Sequence, residues 1–482
     1  MARNIITKPQ NTQCTLWFNL MEGTMHSTLG TYLKEINKTT VRIKKQVDPI
    51  TQVGDLCSQS EKTILFENIK GFPGWKICDL LVKDRKRQAI ALKTTPEHVV
   101  QDLAAKINKG PGKTAVVAKG PVKEKILTGK QARFDKIPFC VHSPGDGGPY
   151  IGSGMCTVQD PDTGLQNVAM HRIQIKGSHH AAVSLFSPHS RAILQKYAAR
   201  KQPAPMAVVI GHHPCFEIAA NYFGPHDTWN EFELAARLLG EEVEMVRCEN
   251  SDILVPAHAE IVLECEIKPG VTEMEGPFAE FHNYYASEPA PKPRLELKTI
   301  TMRKDAIYRH LNATPYTDHQ PLAVLPSEAR LFDQLTRRGF TIHDVFIPPW
   351  GGLFIVIIQM TGAIEEQVRE ALLMALFSPV LLFSKIAIAV DDDIDIYDAQ
   401  DIMYALATRV NPDKDIIQLH GTQGIPYDLS LPEIPEALPL RRGGKLAIDA
   451  TKPPTAKKKL RDKFKRVSPR GWGNVLLKDF IE

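Results

Sequence analysis

At 482 residues, with 43% hydrophobic and 24% charged residues, the chain is long enough for two or three separately cored domains of ordinary soluble composition. Its formal charge of +4 is unevenly spread: residues 451–482 hold ten Lys/Arg against three Asp/Glu, which leaves residues 1–450 at about −3. That pattern sets aside a general nucleic-acid-binding surface, and the run Lys457–Arg466 reads as the solvated face of a terminal helix docked by Leu460 and Phe464.

Residues 1–30 read as a loosely specified extension. A first α/β segment follows, with a strand at Thr63–Phe66 and a helix opened by Thr95-Pro96 that ends before Gly110-Pro111-Gly112. Between 113 and 315 the pattern changes to short β-like runs punctuated by Gly and Pro, among them Ala115–Ala118, Met206–Ile210 and Glu260–Ile267. One helix interrupts them, from Trp229 to Leu239, stopped by Gly240. From 326 the elements alternate again: a helix at 327–338, a strand at Leu353–Met360 and a helix at 364–377. The strand Ile386–Val390 and a helix from Asp398 to Val410 complete this α/β region. The divisions expected are therefore 1–30, 31–112, 113–315, 316–450 and a basic tail at 451–482.

Eight cysteines at 14, 57, 78, 140, 156, 215, 248 and 265 form no Cys-x-x-Cys pair, which speaks against structural zinc and a disulfide scaffold and for a reducing compartment. The first residues carry no signal-peptide pattern, and the longest apolar stretch, Ala371–Phe383, is broken by Ser378-Pro379 and too short to span a bilayer. A cytoplasmic protein is expected. Gly145–Pro149 reads as a turn, Asp391-Asp392-Asp393 as a turn approaching a helix, and the adjacent pairs His179-His180 and His212-His213 as loop residues. No Gly-x-Gly-x-x-Gly, Walker, Gly-x-Ser-x-Gly or His-Glu-x-x-His sequence is present.

The most informative feature is Glu275-Gly276-Pro277-Phe278-Ala279-Glu280 together with the upstream Asn167-Val168-Ala169-Met170-His171-Arg172. Gly-Pro forbids a regular helix, so a turn must present the two glutamates, and a turn can hold two carboxylates near one cavity in different environments. With an arginine from a distant segment the set becomes a carboxylate clamp, a group that tunes it and a proton donor. These two segments, with Phe66–Gly74, Asp393–Tyr397 and Ile448–Thr451 in the same order, resemble the UbiD-type decarboxylases, which use prenylated flavin mononucleotide (prenylated FMN).

The resemblance implies an N-terminal α/β domain, a central split β-barrel that holds the cofactor, and a C-terminal α/β domain used for dimerisation. It also implies reversible, non-oxidative decarboxylation, through a covalent adduct whose flavin ring is the electron sink that loss of carbon dioxide from an sp2 carbon otherwise lacks. Arg172 corresponds to the catalytic arginine, Glu275 to the carboxylate that orients it, and Glu280 to the proton donor. Asn167, Val168, Ala169, Met170, Arg172, His189, Asn221, Phe223 and Glu231 correspond to cofactor-binding positions. Asn167, His189 and Glu231 are implied to hold Mn2+ or Mg2+ against the cofactor phosphate, with K+ beside it on backbone oxygens near Val168, Ala220 and Phe223 and on Glu231. The match requires a one-residue deletion between Arg172 and His189.

The implied partners are a small aromatic carboxylate and carbon dioxide, a flavin prenyltransferase that supplies the cofactor, and a second copy of the chain in a homodimer or larger assembly; neither nucleic acid nor membrane is expected. A hydroxybenzoate-like acid is favoured, a cinnamate-like acid comes second and a prenylated hydroxybenzoate third. His171, His282 and His319 either face such a substrate or line loops. Two rivals remain: a conventional flavin oxidoreductase, which leaves Glu275 and Glu280 without a task, and a non-catalytic carboxylase subunit, which would be expected to lose Arg172 or Glu280.

Overall fold

A computed structural model describes residues 26–224, 228–314, 317–381, 383–432, 441–467 and 475–480. Among these, four sheets organise the chain. Thr40–Ile43, Thr63–Phe66 and Lys76–Asp79 form three strands of the first, and the fourth, Ile307–Arg309, arrives from far along the chain to pair in parallel with Lys76–Asp79. Thr63–Phe66 is buried on both faces, which explains its unbroken apolar reading.

The central sheet has nine strands, all of whose pairings are antiparallel, and its order is an open path from Tyr150–Ile151 to Gln166–Met170 rather than a closed ring. Along Ala204–Ile210 successive residues alternate between two cores. Met206, Val208 and Ile210 pack inside the curved sheet with Cys156, Ile173, Leu263 and Ile300. Ala207 and Val209 pack outward against Phe216, Phe232 and Leu238 of the covering helices. The longest strands, Ile261–Glu275 and Ala290–Met302, pair from Ile261 opposite Met302 to Glu275 opposite Ala290, so Glu275 ends a strand at the lip of the sheet.

Three helices, not one, interrupt this region: Pro188–Ala199, Pro214–Ala220 and Glu231–Leu239. The first two start at proline, whose missing N–H costs nothing at a first helical position, and are capped by Ser187 Oγ accepting from Ser190 N (3.3 Å) and by His213 Nδ1 accepting from Cys215 N (3.3 Å). His212 and His213 lie in the loop as expected, but they are buried and His213 caps the helix that follows. His180 instead opens the strand His180–Ser184. The third helix ends at Gly240, in the left-handed conformation (φ +72°) that favours glycine.

The C-terminal sheet has the order Thr341–Phe346, Ile355–Thr361, Ile386–Val390, Arg441–Asp449, Ile416–Gly424. Helix Glu365–Leu376 covers Val356 and Ile358 on one face; helix Ala399–Arg409 covers Ile357 and Ile388 on the other. The helix expected at 327–338 starts eight residues earlier, as His319–Arg337, with Pro326 inside it. A helix-internal proline costs about 3 kcal/mol, and here the burial of Leu322, Leu325 and Pro326 itself opposes that cost.

The tail departs from expectation more clearly. Only Lys458–Arg461 is α-helical, Leu460 is 45% exposed, and the anchor is Arg461, which donates to Asp391 and to Pro453 O (2.9 Å). Asp391 thus serves ion pairs with Arg409 (3.7 Å) and Arg461 at its turn. The seven described cysteines are buried and free, and no described helix is long and apolar enough to cross a membrane. Residues 1–25 of the expected extension lie outside the described residues, and a helix, Leu29–Glu35, already begins within it.

Candidate active site

The strand that carries the Asn167–Arg172 segment is broken once. Gln166–Met170 ends at His171, and Arg172–Ile175 starts a new strand in a different part of the sheet. His171 fixes that break: its Nδ1 accepts from Phe186 N (3.2 Å), its Nε2 lies 3.4 Å from Ser190 Oγ, and burial pushes its pKa down to about 4. Its ring is used by the segment that leads into helix Pro188–Ala199.

Arg172 then points at the lip where Glu275 ends its strand. Nε donates to Glu275 Oε1 (2.9 Å) and Nη2 to Glu275 Oε2 (3.1 Å), a two-pronged fork, while Nη1 donates to Glu280. The guanidinium lies 4.7 Å over the Phe278 ring. Glu275 is 2% and Glu280 4% exposed. Burial lifts the Glu280 carboxyl above the ordinary glutamate range, although the Arg172 charge pulls the other way. For Arg172 the carboxylates outweigh burial and hold it firmly charged.

The Glu275–Glu280 turn is itself held from behind. Tyr150 Oη donates to Glu275 Oε1 (3.1 Å) and Pro277 O (3.2 Å), and its ring sits 4.7 Å from that of Phe278. Asp146 Oδ1 accepts from Ala279 N (2.8 Å), Gly147 N donates to Pro277 O (2.8 Å), and Gln174 Oε1 accepts from Gly276 N (2.9 Å). A Cβ on Gly147 would stand 2.3 Å from Gly276 O, so the glycine-rich turn is required by close approach. The sequence marked this run only as a turn; Tyr150, directly after its proline, was missed with it.

A wall of rings faces these groups. His282 stacks on Phe354 (4.6 Å) and lies 6.0 Å from Tyr427, Phe281 meets His319 edge-on (5.3 Å), and Phe186 lies 5.8 Å from Tyr427. Tyr427, from the loop between two C-terminal strands, feels the charges of Glu280 and Arg172, and burial with those carboxylates raises its phenol pKa. His319 lies within electrostatic reach of Arg172; burial and then that charge push it down to about 4. Burial brings His282 to about 4 as well. Among the described residues, neither ring nitrogen of His282, nor Nδ1 of His319, has a hydrogen-bond partner. Neutral imidazoles without partners are suited to a polar substituent on a ligand.

The second group of sequence candidates gathers on the outer side of the same strand. Val168 N donates to Glu231 Oε2 (2.6 Å), and Asn167 Nδ2 donates to Ser190 Oγ (2.8 Å), which brings β-strand Gln166–Met170 to the first turns of two helices. Glu231 and Asn167 are buried, and His189 is exposed at the start of its helix. Asn221 Nδ2 contacts Met170 Sδ (2.9 Å) and Glu217 O (2.8 Å), directly after Ala220. Ala169 is half-buried on the strand, and Phe223 is 38% exposed just ahead of residues 225–227, which lie outside the described residues. Two helix N-termini beside an amide, an imidazole and a carboxylate suit an anion accompanied by a hard cation. By contrast, an open cleft of about 500 Å3 lined by Phe72, Trp75, Lys125 and Lys304 holds none of these groups.

A buried arginine with two carboxylates at the lip of the central sheet, beside the starts of two helices, makes up the candidate site. The chain matches the N-terminal, Rift-related and C-terminal domains described for 3-octaprenyl-4-hydroxybenzoate carboxy-lyase over residues 33–107, 114–315 and 320–450. It belongs to the UbiD family and is a carboxy-lyase of that family. It is 33% identical over 339 residues to the anhydromevalonate phosphate decarboxylase of Methanothermobacter thermautotrophicus, covering 70% of this chain and 76% of that protein. Its fold is similar to that of the UbiD-class enzyme HmfF from Pelotomaculum thermopropionicum in complex with FMN (TM-score 0.86, 30% identity, 94% of this chain and 100% of that one). An evolved dimeric form of HmfF in complex with prenylated FMN gives a TM-score of 0.83 at 29% identity, over 95% of this chain and 100% of that one. The apo 3,4-dihydroxybenzoic acid decarboxylase from Enterobacter cloacae gives 0.84 at 26% identity, over 93% of this chain and 99% of that one.

Proposed function

We propose that this chain removes carbon dioxide from an acid whose carboxylate sits on an sp2 carbon, with prenylated FMN as cofactor and a polar-substituted aromatic or heteroaromatic acid as substrate. The observation that carries the reading is the asymmetry around Arg172: Glu275 occupies two of its nitrogens as a fixed fork, and Glu280 takes the third with a carboxyl that burial inclines toward its protonated form. A substrate carboxylate entering beside Nη1 displaces Glu280 from the guanidinium but not Glu275. Arg172 then holds the carboxylate, and Tyr150 and Glu275 keep Arg172 from following it. The carbon that loses carbon dioxide must gain a proton in its place, and Glu280 is the group placed to give it. Water restores the proton to Glu280, so one proton is consumed for each carbon dioxide released.

When bound, prenylated FMN supplies the electron sink that no side chain can provide. HmfF in complex with FMN and with prenylated FMN supports the assignment, as does the donor set on strand Gln166–Met170. Asn167, His189 and Glu231 would hold Mn2+ or Mg2+, a set rich in oxygen with one imidazole. The helix starts at Pro188 and Glu231 would face the cofactor phosphate, with K+ on backbone oxygens near Val168, Ala220 and Phe223. Ala169, Met170 and Asn221 would border the flavin. A flavin prenyltransferase would supply the cofactor, and the C-terminal domain would pair two copies.

The ring wall of His282, Tyr427 and Phe354 supports a flat substrate, and the unpartnered nitrogens of His282 and His319 support a polar group on it. A second reading, an aliphatic α,β-unsaturated acid, is favoured by the similarity to the anhydromevalonate phosphate decarboxylase. The test is carbon dioxide release by the chain co-expressed with a flavin prenyltransferase and supplied with Mn2+ and K+. Hydroxybenzoates, heteroaromatic carboxylates, cinnamates and phosphorylated acrylic acids make up the panel. Release from the aromatic acids that requires the prenyltransferase is the expected result. Release only from the phosphorylated acids selects the second reading, and release independent of the prenyltransferase overturns the cofactor assignment.

A further inference from the structure

A second constellation lies outside the decarboxylase site and shares no residue with it. Strand Val243–Arg247 pairs antiparallel with Leu254–Pro256, with Met245 opposite Pro256, so the chain returns His258 to the side of Glu244. His258 Nε2 lies 2.9 Å from Glu244 Oε2. His26 reaches the same oxygen from the start of the described chain, at 3.7 Å. Its position is fixed: Ser27 donates from both N and Oγ to Glu241 (2.9 Å each), and Thr28 forms a capping box with Thr31 at helix Leu29–Glu35. The two imidazoles stack, 4.3 Å between centroids at 28°. Among the described residues, this is the one group of three His, Cys or carboxylate ligands whose donor atoms all lie within 4.8 Å of one another.

We propose that His26, Glu244 and His258 bind a divalent transition-metal cation of the zinc class, which fastens the start of this segment to the central domain. The 3.7 Å separation is too long for a hydrogen bond, so the Glu244–His258 bond alone leaves His26 without a role at that oxygen. Ligands at about 2.0–2.1 Å from a tetrahedral zinc stand roughly 3.3–3.4 Å apart. The observed 2.9 and 3.7 Å bracket that spacing. Two imidazoles and one carboxylate match the preference of zinc over the hard, oxygen-seeking Mg2+ and Ca2+. All three side chains are half-buried, so an ion can enter and a water can complete the fourth position. Two further groups face the site. His212 is buried beside it, and Arg303, whose charge opposes a cation, has Glu260 at 3.8 Å to offset it.

The full chain, stripped of metal by chelator, would be titrated with Co2+ as a spectroscopic probe and then with Zn2+. Wild type is expected to develop the visible bands of tetrahedral nitrogen and oxygen ligation, which Zn2+ abolishes by displacement. His26→Asn and His258→Asn are expected to lose those bands while keeping carbon dioxide release and the far-UV spectrum of wild type. Zn2+ should also raise the melting temperature of wild type but of neither variant. As a measurement that needs no variant, Zn2+ should protect His26 and His258 from modification by diethylpyrocarbonate, read by mass spectrometry. No tetrahedral bands in wild type, bands that persist in both variants, or unchanged modification with Zn2+ would each overturn the proposal.

Discussion

Two arginines in this molecule gather carboxylates from distant parts of the chain, and they do opposite things with them. Arg309 sits on the strand that joins the first sheet from afar and bonds Asp79 (2.8 Å), Glu217 (3.1 Å) and Asp318 (2.7 Å), all with side chains wholly removed from solvent. Those three acids come from the first sheet, the central region and the residue preceding helix His319–Arg337, and Asp318 also accepts from Leu81 N and Val82 N (3.0 Å). Every prong is satisfied and nothing can enter, so this hub ties the three parts of the chain together. Arg172 has two carboxylates rather than three and retains 12% side-chain exposure; burial pushes the acids of both networks upward, so exposure and the number of partners are what separate them. The first network is closed; the second is equally bonded at its three nitrogens but open at an edge.

This contrast sets the order of expected effects. Arg309→Met leaves three buried acids without a counter-charge, and breaking even one buried pair costs about 3–5 kcal/mol. The variant is expected to accumulate as insoluble or proteolysed chain, whereas a soluble protein with a wild-type melting temperature would show the hub to be dispensable. Arg172→Lys keeps a charge but loses the fork onto Glu275, so turnover should fall by about a hundredfold while the melting temperature changes little. Parallel losses of folding and activity would merge the two regions into one role.

Tyr150→Phe removes the hydroxyl proton shared between Glu275 and Pro277 O behind the fork, worth about 1 kcal/mol. A loss in kcat of several-fold with little change in KM is expected from steady-state kinetics. The smallest effect concerns pH. Because burial raises the Glu280 pKa above its ordinary value, the proton it donates is present below the raised value and lost as pH climbs through it. Turnover should fall on that alkaline limb. By the same sign, the stability that protonated Glu280 contributes is complete below the ordinary glutamate value and lost as pH rises through the raised one. Wild type should therefore lose stability relative to Glu280→Gln across that interval, as followed by thermal melts at a series of pH values.

The juxtaposition of Arg172, Glu275 and Glu280 was legible in the sequence because these residues sit in short contiguous segments. Glu275 and Glu280 are separated by a Gly-Pro turn that has no other means of presenting them, and Arg172 stands at the end of a recognisable run. The elements of the C-terminal domain were readable for a similar reason: Ile386–Val390 is a fully apolar strand, and Asp398 caps the helix that follows. What escaped depends on contacts across the fold. Tyr150, Gly147 and Gln174 matter through the turn they brace from behind, and Tyr427 reaches Glu280 from a loop some 150 residues away along the chain, so no local pattern marks either. Ile307–Arg309 is three residues long and becomes a strand only by pairing with Lys76–Asp79. The helices starting at Pro188 and Pro214 were hidden because proline reads first as a break and only with its cap as a beginning. The terminal helix is a mixed 3-10 and α run over 455–464, and its docking pair is only half used: Phe464 is half-buried, Leu460 is exposed, and Arg461 is tied to Asp391.

The account stands most directly on Glu280. Glu280→Gln keeps the size of the side chain and an oxygen for Arg172 to bond, and removes only the transferable proton. Carbon dioxide release should be measured beside flavin absorbance for wild type and this variant, both co-expressed with a flavin prenyltransferase and given the acid that wild type turns over best. Unchanged flavin occupancy with turnover reduced by about a hundredfold or more is the predicted result. Turnover near that of wild type at full occupancy would contradict the assignment of Glu280 as proton donor.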